Sequence, residues 1–370
     1  MLISMMINNK RLYKRLILNF SLILFIGFIT FFSTTLVYLE NIDKFNHIFW
    51  TQFLLIIIGL FLFYRIINLK NKNFIILQKN SLFLLILIFL LQFLVFIPGF
   101  GVNLNGANRW IQIFGISIQP SEIFKIVLII FLANVFTVFP NLTKDNKRFM
   151  IFFFVLFLFL FLVFALIKDM GSFMIIIVSI ISMLLFTHIN KIRFFSILFS
   201  LFIFLIILGY FFVPHARERV IDFYFHRGDL GGKFYQYNNM IIAVGSGGLT
   251  GVGYGESHQK FNRNVPEMIS DSIFSIYAEE WGFIGSIVLV TLYWMLFIQI
   301  IANLNRIKDN FTQLLVVGLS VNLFFPVFYN ILAVLAIVPL SGFPLTFMSK
   351  GGTSMVFSII SMAIIILAYK

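Results

Sequence analysis

The chain has no cysteine and very little charge, and both absences narrow the class of protein it can be. Without cysteine it has no disulfide, no thiol nucleophile and no thiolate metal ligand. Only 11% of its 370 residues are charged, whereas 61% are hydrophobic. A soluble domain of this size does not bury so much apolar side chain, so the composition indicates a polytopic helical membrane protein. The five histidines are scattered, without metal-ligand spacing.

Acidic residues are scarce as well, since 14 aspartates and glutamates stand against 27 lysines and arginines. The resulting net charge of +13 does not indicate nucleic-acid binding. The basic residues lie mostly in short loops between apolar segments, which is typical of membrane topology, and we expect no nucleic-acid partner. The first apolar segment, 16–38, is too long for the core of a signal peptide and lacks a small-residue cleavage site, so we expect it to be a span.

Ten apolar segments are each about long enough to cross a hydrocarbon core of about 30 Å as a helix. They are residues 16–38, 47–67, 81–97, 120–139, 149–167, 171–188, 194–213, 271–301, 311–338 and 352–369. The sequence therefore predicts an all-α polytopic membrane protein, with about ten transmembrane helices in one membrane domain over residues 1–370. Pro326 falls inside the ninth segment and predicts a kink.

The distribution of basic residues predicts the orientation. If residues 1–15 are cytoplasmic, most lysines and arginines fall in inside segments. The short outside loops then hold only Lys44, Arg109, Lys168 and Lys350. Both termini are thus predicted to be cytoplasmic, and 214–270 to be a large extracytoplasmic loop between helices 7 and 8. Among the carboxylates only Asp145 and Asp309 face the cytoplasm, so we expect the chemistry at the outer face.

Charged residues surround the start of the fourth segment. Arg109 lies in the loop before it, and Glu122 and Lys125 follow the sequence Gln119-Pro120-Ser121. Glu122 and Lys125 share one helix face and are predicted to pair, either as an ion pair that orients the helix or as part of a site. Asp169 lies in the tight turn before the sixth segment, where a helix cap and a site residue are equally good interpretations.

The longest polar region precedes and opens the eighth segment. Its glycine run, 247–257, permits tight turns and close approach of the backbone to a ligand, but no strand precedes it, so a dinucleotide-binding fold is excluded. Asp271 opens the eighth segment, and Glu279 and Glu280 follow on or beside its face. From its position alone, Asp271 is either a helix cap or a site residue. The final loop, 339–354, has the Gly, Ser and Thr content of a re-entrant hairpin lining a cavity.

In this order the motifs resemble the SEDS family of bacterial cell-wall polymerases, which includes RodA, FtsW and SpoVE. The resemblance covers the whole chain. Six stretches are similar to motifs of the family. Residues 106–110 are similar to Gly-Ala-x-Arg-Trp, residues 119–125 to Gln-Pro-Ser-Glu-x-x-Lys and residues 169–171 to Asp-Leu-Gly. Residues 266–272 are similar to Pro-Asp/Glu-x-His-Thr-Asp-Phe, residues 279–282 to Glu-Glu-x-Gly and residues 349–354 to Ser-Tyr-Gly-Gly-Ser-Ser. Asp271 matches the family's essential aspartate. The departures from the motifs are Ile269, Ser270, Ser272 and Lys350.

The resemblance implies that the chain polymerises lipid II into glycan strands on the outer face of the cytoplasmic membrane. Asp271 is the expected general base, because the attacking sugar hydroxyl must lose a proton. The diphosphate leaving group needs cations instead of an acid. The predicted substrate-binding residues are Arg109, Glu122, Lys125, Asp169, Arg219, Gln236, Glu279, Ser349 and Lys350, with Arg217 as a further cation. No dedicated metal site is expected, although Mg²⁺ or Mn²⁺ held through water by Asp271 or Glu122 is a possible cofactor. No organic cofactor is expected.

The resemblance also implies partners and a place. A class B penicillin-binding protein, the transpeptidase, and other division-complex proteins are expected to bind the chain at the division septum. Residues 251–257 are more similar to the division member FtsW than to the elongation member RodA. Two alternatives stay open besides an elongation role. A lipid II flippase would depend on charges at the membrane midplane, and a scaffold would need only its partners.

Overall fold

The computed structural model describes residues 2–69, 73–97, 99–104, 107–113, 116–139, 146–187, 214–225 and 234–370, and the single residues 199, 203 and 229. Most of these residues are helical. The helices are α1 (Leu2–Thr35), α2 (Ile42–Ile67), α3 (Asn73–Lys79), α4 (Ser81–Phe93), α5 (Pro120–Val138), α6 (Asn146–Leu166), α7 (Met170–Leu185), α8 (Pro214–Phe225), α9 (Tyr235–Ser246), α10 (His258–Phe261), α11 (Ile273–Ile301), α12 (Asn310–Val334) and α13 (Thr353–Ala368).

The chain is a multi-pass membrane protein. Among the described residues, six stretches are long and apolar enough to span a bilayer: Arg11–Tyr38, Ile42–Ile67, Pro120–Val138, Arg148–Leu166, Ile273–Arg306 and Asn310–Val334. Three shorter apolar helices cover Ser81–Phe96, Met170–Leu185 and Thr353–Ala368. These nine stretches coincide with nine of the predicted segments. The seventh, 194–213, lies outside the described residues apart from 199 and 203, so the number ten stays a prediction.

A small antiparallel sheet departs from the predicted all-α class. Its strands β1 (Gly101–Leu104), β2 (Ala107–Ile113) and β3 (Ile116–Ile118) are ordered β1-β2-β3. Val102 pairs with Trp110, and Ile111 pairs with Ile118. The physical reason is a period of two, because Ile111 is buried while Gln112 is exposed and β-branched residues alternate through this stretch. The prediction of a loop here, and of a purely α-helical chain, was wrong in this respect.

The region 214–270 is also more regular than a loop, since α8, α9 and α10 lie within it. Two helix ends differ from the prediction. Helix α11 begins at Ile273 instead of 271, and α12 ends at Val334 instead of 338. Pro326 lies inside α12, and the kink predicted there stays a prediction.

The residue contacts divide the chain into two compact units. The first comprises Met1–Ile67, Glu218–Ala302 and Leu323–Lys370, and the second Asn68–Arg217 and Asn303–Asn322. In the first unit α1 and α9 pack against α11, and α2 packs against α13. In the second unit α5 packs against α4 and α7, and α6 packs against α7. The prediction of one membrane domain over the whole chain stays a prediction.

Phenylalanine fills the helix contacts in both units. In the first unit the Phe20 ring stacks on Phe63, with centroids 5.2 Å apart, and meets Phe347 edge-on at 5.1 Å. In the second unit Phe124 and Phe164 meet edge-on at 5.7 Å. Such aromatic pairs add stabilisation beyond the area they bury. Part of the unusual phenylalanine content therefore packs helix against helix.

Candidate active site

The turn that carries Asp271 runs through residues 266–272 and is called the Asp271 turn below. It leads directly into α11, whose N-cap residue is Ser272. The interpretation of Asp271 as the N-cap was therefore wrong, because the helix begins later than predicted. Asp271 is half-buried. Its carboxylate is only partly open to solvent, because the Oδ1 atom is buried.

Four residues from separate parts of the first unit bind the Asp271 turn. Gln236 of α9 donates from Nε2 to the Ser272 hydroxyl at 3.3 Å, and Asn330 of α12 donates from Nδ2 to the carbonyl of Asp271 at 2.6 Å. The final loop adds Ser349, whose hydroxyl donates to the carbonyl of Ser270, and Lys350, whose backbone N–H donates to the carbonyl of Ile269 at 2.7 Å. The turn that presents Asp271 is therefore held from three directions, by α12 and the final loop through its backbone and by α9 through the Ser272 side chain.

Three residues of the predicted substrate-binding set are thus next to Asp271. Gln236 and Ser349 hold the turn through their side chains, whereas Lys350 does so through its backbone and leaves its ammonium half-buried. Asn330, which is 3% exposed, was not among the predicted site residues. The available signal was an amide inside an apolar span, which Asn330 shares with Gln313 and Asn322.

A polar pocket of about 340 Å³ adjoins the same turn. It is lined by Val37, Tyr38, Asn41, Lys44, Arg263, Val265, Pro266, Glu267 and Met268. Burial lowers the pKa of Lys350, the charge of Glu267 opposes this shift, and Lys44 adds to it. Lys44, Glu267 and Lys350 therefore share one electrostatic environment. Arg263 and Glu267 were not among the predicted site residues.

Residues 247–255, called the glycine loop below, insert into a break in α11. Gly282 has φ 66° and ψ −166°, which interrupts the helix. The hydrogen bonds that the helix would otherwise close internally run to the glycine loop instead: Val252 N to Glu279 O (3.0 Å), Gly253 N to Glu280 O (3.2 Å), Phe283 N to Gly248 O (2.9 Å) and Ile284 N to Leu249 O (3.1 Å). The break therefore leaves these four backbone groups satisfied.

Glycine is required on both sides of this contact. A Cβ atom on Gly251 would lie 2.1 Å from the carbonyl oxygen of Glu280, and one on Gly282 would lie 2.3 Å from the amide nitrogen of Gly251. Both residues also have positive φ, 84° and 66°. The glycine run therefore serves close backbone approach, as predicted, but the group it approaches is α11 of the same chain.

The two glutamates of α11 are sealed from solvent. Glu279 is 0% exposed and accepts hydrogen bonds from the Ser257 hydroxyl and from the amides of His258 (3.1 Å) and Gln259 (3.3 Å). Its oxygens hold the start of α10 and are out of reach of a substrate. Glu279 is therefore removed from the predicted substrate-binding set, because its proximity to Asp271 along the chain does not give it the same exposure.

Glu280 is 1% exposed and forms a buried ion pair with Lys260 of α10. The distance from Lys260 Nζ to Glu280 Oε1 is 2.6 Å, and both side chains are 0% exposed. The hydroxyl of Ser33 in α1 also donates to Glu280 Oε1 at 2.5 Å. Neither Lys260 nor Ser33 was predicted, because a lysine in a long polar loop gives no sign of its burial.

The second unit contains four other predicted residues. Asp169 caps α7, as one of its two interpretations predicted, by accepting from the Ser172 amide at 3.2 Å. It also accepts from Gln119 Nε2 (3.0 Å) and from the Ser121 hydroxyl (2.8 Å). Arg109 donates from its guanidinium to the carbonyl of Lys168. The three family motifs around these residues therefore meet at the turn before α7.

Glu122 and Lys125 form the predicted pair at the start of α5. Lys125 Nζ lies 2.8 Å from Glu122 Oε1, and the side chains are 6% and 15% exposed. Pro120 occupies the first turn, where its missing N–H costs nothing. Arg219 lies in α8, but its side chain is outside the described part of the structure, so its role stays a prediction.

The carboxylates and histidines that the structure describes include no group of three or more positioned to hold a metal ion. Mg²⁺ needs fewer protein ligands, because it is usually bound through one or two carboxylates together with substrate phosphates. A role of Asp271 or Glu122 as such a ligand stays a prediction.

The fold and the site define a multi-pass helical membrane protein with the half-buried carboxylate of Asp271 on a turn that is held by three other segments. The chain matches the FtsW/RodA/SpoVE family model, described as cell cycle protein, over residues 13–370, and it belongs to that family.

Two relatives illustrate the sequence similarity. The chain is 32% identical over 294 residues to the "Probable peptidoglycan glycosyltransferase FtsW" of Nitrosomonas europaea, with 78% of this chain and 75% of the relative covered. It is 30% identical over 353 residues to the "Stage V sporulation protein E" of Bacillus subtilis, with 93% of each covered.

Two solved structures share the fold. A chain of a peptidoglycan synthase complex that coordinates polymerization and crosslinking matches with a TM-score of 0.72 and 21% identity, covering 96% of both chains. The rod shape determining protein RodA of Thermus thermophilus matches with a TM-score of 0.67 and 21% identity, covering 96% of this chain and 95% of that one.

Proposed function

We propose that this protein is a peptidoglycan glycosyltransferase that polymerises lipid II into glycan strands at the outer face of the cytoplasmic membrane during cell division. Its family membership and its relatives named as peptidoglycan glycosyltransferase support the reaction class. The observation that carries the proposal is the Asp271 turn, which presents the half-buried carboxylate of Asp271 and is held from three directions.

In the proposed mechanism Asp271 is the general base. It takes the proton of the acceptor sugar hydroxyl as that oxygen bonds to the anomeric carbon of the donor. The bond from the anomeric carbon to the diphosphate oxygen breaks at the same time, and the lipid diphosphate leaves with the electron pair. A glycosidase needs a second carboxylic acid for its leaving group, whereas a diphosphate leaves without protonation.

The departing diphosphate has to be stabilised by cations. Lys350 supports this role best, because it adjoins the Asp271 turn and is half-buried. Arg109, Lys125, Arg217 and Arg219 are further proposed cations. Lys125 already pairs with Glu122, which reduces the charge it offers. Mg²⁺ or Mn²⁺, held through water by Asp271 or Glu122, would offset further negative charge when bound.

The remaining parts of the proposal concern topology and partners. We infer ten spans with both termini in the cytoplasm, and the region 214–270 outside between the seventh and eighth spans, because of the distribution of lysine and arginine. The proposed partner is a class B penicillin-binding protein within the division complex at the septum. The similarity to a chain of a peptidoglycan synthase complex supports a partner of this kind.

A lipid II flippase is the rival function, and the break in α11 is an observation that favours it, because broken helices are typical of transporter sites. In transporters, however, the freed backbone groups face a substrate. Here the groups around Gly282 bind the glycine loop of the same chain. The break is filled by protein, which favours the glycosyltransferase.

The test uses the purified chain with its transpeptidase partner in vesicles that contain labelled lipid II, with the transpeptidase blocked. A glycosyltransferase produces glycan strands. A flippase moves label across the bilayer and produces none. Strand formation supports the proposal, and translocation without strands overturns it.

A further inference from the structure

Two adjacent glutamates of α11 hold the short helix α10 at two points. Glu279 accepts from the first amides of α10, and Glu280 binds the ammonium of Lys260 in the same helix. In the chain α10 comes shortly before the Asp271 turn, and α11 comes directly after it. Lys260 and Glu280 are 20 residues apart, so their contact closes a loop that has Asp271 near its middle.

The surroundings of Lys260 permit one arrangement. Its ammonium donates to Glu280 Oε1 (2.6 Å), to the Ser33 hydroxyl (2.8 Å) and to the carbonyl of Gly255 (3.1 Å). All three protons of the ammonium therefore have acceptors, and the acceptors come from α1, the glycine loop and α11. A shift of any of these elements would leave a buried charge without its partners.

Stability alone does not explain such a pair. Removing two charges from water is costly, and apolar side chains of similar volume are often equally stable in their place. The best-attested use of a buried polar contact is to select one arrangement among several that apolar packing would accept. The arrangement selected here is the path of the chain into and out of the Asp271 turn.

We propose that Lys260 and Glu280 are positioning residues that hold the Asp271 turn in the position required for catalysis. The inference rests on the proposed function. The ion pair fixes the two ends of the 260–280 segment, while Asn330 and Ser349 fix its middle. A displacement of about 1 Å in a reacting group costs about 100-fold in rate. The position of the Asp271 turn should therefore affect kcat more than KM.

The test compares two variants with wild type, each in complex with the transpeptidase partner. Lys260→Met/Glu280→Met replaces the ion pair by apolar side chains and leaves no unpaired buried charge. Glu40→Gln is the matched control, because it breaks the exposed ion pair between Glu40 and Arg263, whose side chains are 84% and 59% exposed. Unfolding temperature, kcat and KM for lipid II are measured for each.

The double variant is expected to fold and to lose kcat by about 100-fold, with KM close to wild type. The control is expected to match wild type in all three quantities. A folded double variant with kcat within about twofold of wild type overturns the inference, since a purely structural pair predicts that result. A wild-type complex that forms no strands removes the proposed function, and this inference with it.

Glu280→Asp is the second variant, for the case in which the double variant does not fold. It keeps both charges but withdraws the carboxylate by one methylene group. We expect kcat to fall by at least about 10-fold with KM unchanged. A kcat equal to that of wild type overturns the inference.

Discussion

The Asp271 turn and the pair Glu279–Glu280 carry the same chemical group a short distance apart in the chain, yet their environments are opposite. Asp271 is half-buried on a turn beside a polar pocket. Glu279 and Glu280 are 0% and 1% exposed, and they bind groups of α10. Carboxylates grouped in sequence can therefore divide their tasks: a half-buried one on a turn can meet a substrate, and sealed ones hold the chain that presents it.

The largest expected effect tests the accessible side of this comparison. Asp271→Asn removes the proposed base but keeps the size of the side chain, so strand formation should fall by about 10²–10⁴-fold. The unfolding temperature should stay within a few degrees of wild type, because the turn is held through its backbone. Polymerisation of labelled lipid II and thermal unfolding are measured on the same preparation. An active Asp271→Asn variant would remove Asp271 from the mechanism.

The next effect tests the sealed side. Lys260→Met leaves the Glu280 carboxylate buried without its cation, which typically costs about 3–5 kcal/mol. We expect a large fall in the unfolding temperature, measured in detergent, and a recovery of most of it in Lys260→Met/Glu280→Met. If the single variant unfolds like wild type, the pair does not have the burial described here.

A smaller effect tests the glycine loop that lies against both glutamates. Gly251→Ala places a Cβ against the carbonyl of Glu280 at a residue with φ 84°, which should cost about 1–3 kcal/mol of stability. Gly245→Ala is the control, since nothing lies within 4 Å of its added Cβ and it lies in α9. The control should be neutral or slightly stabilising. Equal unfolding temperatures for the two variants would contradict the close approach.

The smallest expected effect is a pH dependence beside the Asp271 turn. Burial lowers the pKa of Lys350 below its usual value of 10.5, so the folded protein loses this proton at a lower pH than the unfolded chain does. As the pH rises through the lowered pKa, Lys350 ceases to offer a cation, and the penalty that its buried charge places on folding decreases from there until the pH passes 10.5. We expect alkaline loss of activity to begin at a lower pH in wild type than in Lys350→Arg, which stays charged. Coinciding pH–activity profiles would exclude this role of Lys350.

Much of the fold was predictable from the sequence because it depends on local composition. Apolar length predicted the helices found in nine of the ten segments. The pair of Glu122 and Lys125 followed from helix spacing, and the cap at Asp169 was one of two predicted roles. The sheet around Trp110 was missed, although its alternation of residues was visible in the sequence.

The candidate site was predictable only in part, because burial depends on contacts between distant segments. Three of the predicted substrate-binding residues contact the Asp271 turn, namely Gln236, Ser349 and Lys350. Glu279 was misplaced, since only the structure shows that α10 covers it. Lys260 was missed, because a lysine buried at 0% cannot be distinguished in sequence from an exposed one.

The central claim is that the accessible carboxylate performs the chemistry and the sealed carboxylates hold it in place. The most direct measurement is strand formation per folded molecule by Asp271→Asn and by Glu279→Gln, in one lipid II assay with the transpeptidase blocked. The account predicts that strand formation by folded Asp271→Asn falls by about 10²–10⁴-fold and that the folded fraction of Glu279→Gln retains far more. Strands from Asp271→Asn at the wild-type rate, or the reverse order of the two variants, would contradict it.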